Sequence, residues 1–304
     1  MKILVTGGAG FIGSHVVEAL LKEGYTPIVL DDLSNGDIRN VPAGVKFYNT
    51  HLFSRKIRMI FKKERPDIVI HLAAQIDVSK SIEDPVEDAM VNIVGTIKLL
   101  QYCKEYKVRK FIFSSSSAVY GETVNLAIHE NTSTNPISFY GTSKLVSEEY
   151  IELFNKIHGI PYTILRYANV FGPRQKADGE GGVVSIFIKQ MLKGEAPLIF
   201  GDGNQTRDFV YVEDVAKANV LAIKNGKNGI YNISYNQQTS INDLYNIIAQ
   251  KLNLNHSPLY KPARDGDILH SQLDNHHAIE QLKWEPSWTV ESGIVKTIEY
   301  FANE

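Results

Sequence analysis

Cysteine is almost absent from this chain: its 304 residues include one, Cys103. That excludes an internal disulfide framework, and the helical apolar pattern around Cys103 marks it as a core residue. Long apolar runs are missing too, so no segment reaches membrane-spanning length. Neither sign of charge dominates, since 32 Lys and Arg against 34 Asp and Glu leave a formal net charge of −2. Such a balance lacks the basic field of a nucleic-acid binder and the polybasic patch of a membrane-surface protein. No signal-peptide pattern precedes the first strand, which places the expected location in the cytoplasm. Repeats and low-complexity tracts are also missing, and no metal site is expected. The length allows one large domain or two modest ones with a real core.

What is there begins with an alternation of strands and helices. Lys2-Ile3-Leu4-Val5-Thr6 reads as a short buried parallel strand. It meets Gly7-Gly8-Ala9-Gly10-Phe11-Ile12-Gly13, and a helical pattern follows to about Glu23. Gly7, Gly10 and Gly13 permit a tight turn and let the backbone approach a pyrophosphate, which then sits on the helix N-terminus at Phe11 and Ile12. The next strand, Pro27 to Leu30, ends on Asp31 and Asp32. An acid at that point accepts hydrogen bonds from an adenosine ribose and repels a 2′-phosphate, which favours NAD over NADP. A glycine-rich turn alone is weak evidence; strand, turn, helix, strand and acid in register are strong.

The rhythm continues. Asp67 to Ala74 is a fourth strand running into a small-residue loop, and Pro85 to Tyr106 reads as one long helix with Asn92 midway. Lys110 to Ser114 is a fifth strand, opening into Ser115-Ser116-Ser117-Ala118-Val119-Tyr120-Gly121, and Pro161 to Arg166 is a sixth. This spacing predicts an α/β fold, a Rossmann-like doubly wound parallel sheet. Ligands of open α/β sheets bind beyond the strand C-termini, so the serine cluster is placed for chemistry, although serines there also serve as turn formers.

Tyr140 and Lys144 stand four apart and so share one helix face. A phenol is a poor base at its reference pKa of about 10. An ammonium beside it, with a cationic cofactor ring, favours the phenolate and brings the base towards working pH. Standing alone, the pair is better explained as two exposed residues of an amphipathic helix. Here it comes with the glycine turn and the strand-end Ser116.

With those residues in view, the chain resembles the extended short-chain dehydrogenase/reductases, and within them the UDP-glucose 4-epimerase-like sugar-nucleotide epimerases. Supporting stretches are Leu30-Asp31-Asp32-Leu33-Ser34-Asn35-Gly36, Arg166-Tyr167-Ala168-Asn169-Val170-Phe171-Gly172-Pro173 and Gln205-Thr206-Arg207-Asp208-Phe209-Val210-Tyr211-Val212. The likeness covers nearly the whole chain. It implies that Tyr140 is the base, that Lys144 fixes the ribose and tunes Tyr140, and that Ser116 hydrogen-bonds the sugar oxygen. It implies cofactor contacts for Asn35 and Gly36 after the second strand, for Leu72, Ala73 and Ala74, for Ser114, and for Tyr167 near the nicotinamide, with Asn92 supporting Lys144. One departure stands out: relatives often carry an acid after the third strand that contacts adenine, and here His51, followed by Leu52, takes its place.

After Asn169 the rhythm breaks, and the resemblance implies a smaller, interleaved α/β substrate domain. The expected division is a NAD-binding domain over 1–168, joined by a returning segment near 205–235, and a sugar-nucleotide domain mainly over 169–304. Gly182 and Val183 open a helix to Leu192, and Leu198 to Phe200 is a short strand where the family holds uracil. Arg207 and Arg264 are the diphosphate candidates, because a guanidinium fork matches phosphate oxygens, and Asn169 and Asp267 complete the nucleotide site. Each arginine taken alone is better explained by a surface ion pair.

The reaction is narrowed by what precedes Val119-Tyr120-Gly121. Similar 4,6-dehydratases carry an Asp-Glu pair there and UDP-glucuronate decarboxylases a Glu, whereas this chain has Ser117 and Ala118. Reductase-epimerases with a second acid stay open, since His15, His129 and His158 are not placed by sequence. The expected reaction is 4-epimerisation of a UDP-sugar with hydride passing from C4 to NAD and back to the other face. Ser271, where some relatives carry a bulky tyrosine, leaves room for an N-acetyl group, so UDP-GlcNAc and UDP-GalNAc join UDP-glucose and UDP-galactose. A uronate epimerase using Arg174 or Lys189 is the second reading, and a non-catalytic NAD-binding regulator is the alternative from another class. A homodimer through a four-helix interface is implied, with Val91, Val94, Leu99, Leu145, Tyr150 and Leu153 as its apolar positions.

Overall fold

The computed structural model describes residues 1–123, 127–177, 182–254, 257–263 and 268–304. Seven parallel strands form the central sheet: β1 (Lys2–Thr6), β2 (Thr26–Asp31), β3 (Lys46–Asn49), β4 (Ile68–His71), β5 (Lys110–Ser116), β6 (Tyr162–Tyr167) and β7 (Gly229–Ile233). Their order is β7-β6-β5-β4-β1-β2-β3. The chain winds outward from β1 through β2 and β3, then crosses back to β4 and winds the other way. That reversal opens a crevice above the carboxyl ends of β1 and β4, where an open α/β sheet holds its ligand. The inner strands are mostly apolar and almost wholly buried, because helices cover both faces.

One apolar core, with Val5, Val16, Leu20, Ile112, Leu165 and Trp284, lies on one side of the sheet; a second, with Leu4, Phe61, Leu99, Cys103, Phe111 and Ile151, lies on the other. Leu99 is therefore fully buried within the chain and is unavailable to an intermolecular face. Its position on the helix points it at the sheet.

The continuous helix expected from Pro85 to Tyr106 is three pieces: a helix over Pro85–Ala89, a π-helical turn over Met90–Val94 and a helix over Gly95–Glu105. The widened turn centres on Asn92, which is 2% exposed. Its carbonyl accepts from the hydroxyls of Thr96 (2.6 Å) and Ser147 (3.0 Å), drawing that peptide out of the ordinary helical ladder.

Beyond β6 the strands other than β7 come in short pairs: Asn169–Phe171 with Phe209–Tyr211, Leu198–Phe200 with Leu259–Lys261, and Thr206–Arg207 with Thr239–Ser240. Helices over Val183–Leu192, Ile241–Leu252 and Val290–Ala302 share a third core with them, built on Phe171, Phe187, Tyr211, Leu244 and Ile294. Asp208 ties this region together, since its buried carboxylate accepts the backbone N–H groups of Tyr235 (2.9 Å), Asn236 (3.1 Å) and Leu273 (3.1 Å). The helix over Val212–Leu221 packs on the Phe11–Lys22 helix, and β7 then pairs with β6.

Candidate active site

The glycine turn leaves no room for side chains. A Cβ on Gly7 would stand 2.7 Å from the Ala73 nitrogen, and one on Gly13 would stand 2.0 Å from the Gly7 carbonyl oxygen. Gly7 also has φ +70°, a conformation that glycine adopts at little cost. The Phe11–Lys22 helix starts at Gly10 with no side chain capping it and no acid in its first turn. Its first N–H groups thus remain open to a pyrophosphate. Asp31 is buried at the end of β2, accepting from the N–H of Ala9 and of Leu33, both at 2.9 Å. Burial pushes its carboxyl upward, while those two hydrogen bonds pull it down. These features fit a dinucleotide.

The neighbouring candidates occupy different positions. Asp32 is exposed and accepts from the N–H (3.0 Å) and hydroxyl (2.6 Å) of Ser34. Asn35 is exposed, and Gly36 lies so close to Asp31 that a Cβ there would stand 2.8 Å from its Oδ1. Leu72, Ala73 and Ala74 are half-buried where β4 ends, with the Ala73 N–H donating to the Thr6 hydroxyl at 3.2 Å. His51 is exposed, its Nδ1 accepting from the Phe53 N–H at 3.2 Å, and Leu52 is buried beneath Gly95.

Ser138 caps the Phe139–His158 helix by accepting from the Gly141 N–H at 3.0 Å. A Cβ at Gly141 would meet the Ala118 carbonyl oxygen at 2.6 Å, so the helix start lies hard against the turn that follows β5. That contact brings the start of the Tyr140 helix towards Ser116. One turn on, Lys144 is 3% exposed; its Nζ donates to the Ser114 carbonyl at 2.8 Å and stands 4.9 Å from the Phe113 ring centre and 5.9 Å from that of Tyr140. Burial pushes the Tyr140 phenol up to about 12, with Ser116 pulling the other way. Burial brings the Lys144 ammonium down to about 8, against the carboxylates of Asp88 and Glu148. The protein alone therefore keeps the phenol protonated at neutral pH.

Asn92 forms no hydrogen bond with Lys144. Its amide nitrogen reaches the Gln75 carbonyl, Asp88 Oδ1 and Ser143 Oγ, each at 3.0 Å, and its oxygen accepts from the Gln75 N–H at 2.9 Å. The Tyr167 hydroxyl, buried under the crevice, accepts from Asn219 at 2.8 Å. Sequence reasoning missed the ion pair below Lys144, in which Arg166 grips Glu148 with Nε–Oε1 at 3.0 Å and Nη2–Oε2 at 2.6 Å. Glu148 also bonds to Ser115. Its signal was its spacing, four residues beyond Lys144 on the same helix face.

The substrate candidates lie across the crevice. Asn169 is exposed at the start of its short strand, Gly182 and Val183 begin a helix, and Leu198 and Phe200 are half-buried. Arg207 donates Nη1 to the carbonyls of Thr206 (3.0 Å) and Ile268 (2.6 Å), and Ser271 is 9% exposed. Arg264 and Asp267 lie outside the described residues. The histidines left open are spread out: His15 bonds the Pro173 carbonyl at 3.0 Å, His129 stands 3.8 Å from Asp274, and His158 meets Phe154 edge to face.

The family model for NAD dependent epimerases/dehydratases matches residues 3–234. The chain belongs to that family. A Methanocaldococcus jannaschii protein provisionally named UDP-glucose 4-epimerase is 46% identical over 302 residues, which is 99% of this chain and 98% of that protein. The structure of a Thermotoga maritima UDP-glucose 4-epimerase with UDP-glucose is 46% identical, with a TM-score of 0.98 over 100% of this chain and 99% of that one. A Methanobrevibacter ruminantium UDP-N-acetylglucosamine 4-epimerase, solved with UDP-N-acetylmuramic acid, is 36% identical with a TM-score of 0.95, covering 99% and 98%. A Bacillus cereus UDP-glucuronic acid 4-epimerase, solved with UDP-glucuronic acid and NAD, is 32% identical with a TM-score of 0.92, covering 100% and 99%. The protein is an epimerase-family isomerase of the UDP-glucose 4-epimerase-like type, and its cofactor is NAD. Among the described residues no helix is long and apolar enough to cross a membrane.

Proposed function

We propose that the protein interconverts UDP-hexoses that differ at C4, UDP-glucose and UDP-galactose first, by way of a 4-keto sugar. The observation that carries this reading is the buried Lys144 one helical turn from the Tyr140 phenol, whose helix starts against the turn carrying Ser116, at the mouth of the crevice. Gly7, Gly10, Gly13 and Asp31 would hold NAD at its pyrophosphate and adenosine ribose, Leu72 to Ala74 would line it, and Lys144 would hold its nicotinamide ribose. NAD, when bound, supplies the hydride acceptor that oxidises C4 and the donor that reduces it again. Tyr140 Oη accepts the O4 proton as C4 is oxidised and returns it after the sugar has turned. Ser116 aligns O4 with that phenol, and the Lys144 ammonium stabilises the phenolate. Arg207, with Arg264, anchors the diphosphate while the sugar is loosely held.

Tyr140→Phe tests this directly. UDP-galactose turnover should fall about a thousandfold, with NAD binding kept. A wild-type rate overturns the reading.

Ser271 is small enough to leave space at C2, so the proposal extends to UDP-GlcNAc and UDP-GalNAc. The uronate reading gains nothing from its two cations, since Arg174 is paired with Glu18 at 2.5 Å and Lys189 is exposed on the Val183–Leu192 helix. The proposed assembly is a homodimer. Ile82, Val86 and Met90 form one exposed apolar row, and Phe139, Tyr150, Leu153 and Ile157 another at helical spacing; Val86 is 71% and Ile157 62% exposed. Pairing those rows with their two-fold mates buries both. Light scattering should find twice the chain mass for the wild type and a monomer for Leu153→Lys with Ile157→Lys; a monomeric wild type overturns the assembly.

A further inference from the structure

Asp88 is 1% exposed and belongs to the Pro85–Ala89 helix, which packs on the helix carrying Tyr140 and Lys144. Its Oδ1 accepts from the amides of Asn92 (3.0 Å) and Gln75 (3.1 Å), both neutral. Among the described residues no lysine or arginine forms an ion pair with it, unlike the two buried glutamates, of which Glu148 is gripped by Arg166 and Glu64 by Lys46.

Lys144 presents the complementary problem. Its buried ammonium donates to the Ser114 carbonyl and faces the rings of Phe113 and Tyr140. A buried cation with so few neutral partners requires a nearby anion. Glu148 lies one turn along the same helix, but the Arg166 guanidinium offsets its charge. His71, on β4 behind the lysine, is uncharged: burial and Lys144 together hold it down to about 3. On the outer side of Asp88 stand the Lys80–Glu87 pair, Asp84 and Asp77; the first pair is about half exposed and screened by water. Asn92 bonds Asp88 and Ser143 at once, and Ser143 precedes Lys144 on its helix. The carboxylate is thereby fixed relative to the lysine's turn.

Resting on the catalytic reading of Tyr140 and Lys144, we propose that Asp88 is the counter-charge of the buried Lys144 ammonium, a positioning residue that sets the pH window of the pair. Its negative charge raises both groups, keeping the lysine protonated and the phenol protonated to higher pH. Removing it moves both in the acid direction. The alkaline limb of the pH–rate profile reports the lysine and the acid limb the phenol, so the whole bell shifts to lower pH.

The experiment compares kcat/KM against pH for wild type, Asp88→Asn, Asp88→Glu and Tyr140→Phe, each loaded with NAD, on UDP-galactose. Asp88→Asn should move both limbs acidward by roughly half to one pH unit, a field effect of a single buried charge. Asp88→Glu should keep the wild-type limbs. A uniform fall in rate with unmoved limbs overturns the proposal and leaves Asp88 a packing residue. Active Tyr140→Phe overturns the catalytic reading instead, so the two failures are distinct. Should Asp88→Asn fail to fold, NMR titration of wild-type protein labelled at lysine Cε decides: Lys144 charged at pH 7 supports the counter-charge, and a neutral amine there overturns it.

Discussion

In the cofactor crevice the backbone itself forms the site. Gly7 and Gly13 are so closely packed that an added methyl would lie 2.7 Å and 2.0 Å from main-chain atoms. Across the crevice Asn169, Leu198, Phe200 and Arg207 are side chains carried on strand pairs of two or three residues, in a region tied by the Asp208 carboxylate rather than by a continuous ladder. The first arrangement admits one geometry and suits a cofactor that is the same in every turnover. The second can change a side chain without moving its supports, which suits a surface that must distinguish one sugar from another.

The sharpest way to break the contrast is beneath the crevice. Glu148→Gln leaves the Arg166 guanidinium buried without its anion, and urea melts should register a loss of about 3–5 kcal/mol. A change below about 1 kcal/mol would mean the support is looser than its geometry implies. Next comes Gly13→Ala, expected to lose about 1–3 kcal/mol and most NAD affinity, read by thermal melts and NAD titration. Gly24→Ala is its control, with φ +73° but no atom within 4 Å of the new Cβ, and should cost about 1 kcal/mol with NAD affinity kept. The smallest effect on stability belongs to the other half. Ser271→Tyr should leave the melt almost unchanged while lowering UDP-GalNAc turnover tenfold or more relative to UDP-galactose; equal losses on the two sugars would show that position 271 does not read C2.

The same contrast decides what could be read from the sequence. The glycine turn, Asp31 at the end of β2, the serines after β5 and the Tyr140–Lys144 pair are each short local patterns, recognisable within a few residues even though their partners, such as Ala73, Ala9 and Ser114, come from other elements. Asp88, Gln75 and the Arg166–Glu148 pair acquire meaning only when separate elements pack. The same holds for the π turn at Asn92, where hydroxyls of Thr96 and Ser147 compete for a helical carbonyl. Apolar spacing alone gave Leu99 and Leu153 the same reading, yet the first faces the sheet and the second water. In the substrate half Arg207 was visible as a cation, but not its two carbonyl partners. The fold was therefore legible almost throughout, and the site only where its parts are contiguous.

The late return of β7 has a consequence for biosynthesis. The sheet lacks its last strand until residues 229–233 have left the ribosome, long after β6 at 162–167. Until then the β6 edge, which in the finished protein donates to and accepts from β7, stays open to any passing strand. Everything between must be made before that edge closes, including Asp208 itself and the helix that packs on the glycine-turn helix, whereas the partners of Asp208, at Tyr235, Asn236 and Leu273, follow β7. The two ligand-binding regions thus mature together, and a chain that stops near residue 204 would expose a sticky sheet margin rather than a free-standing cofactor domain.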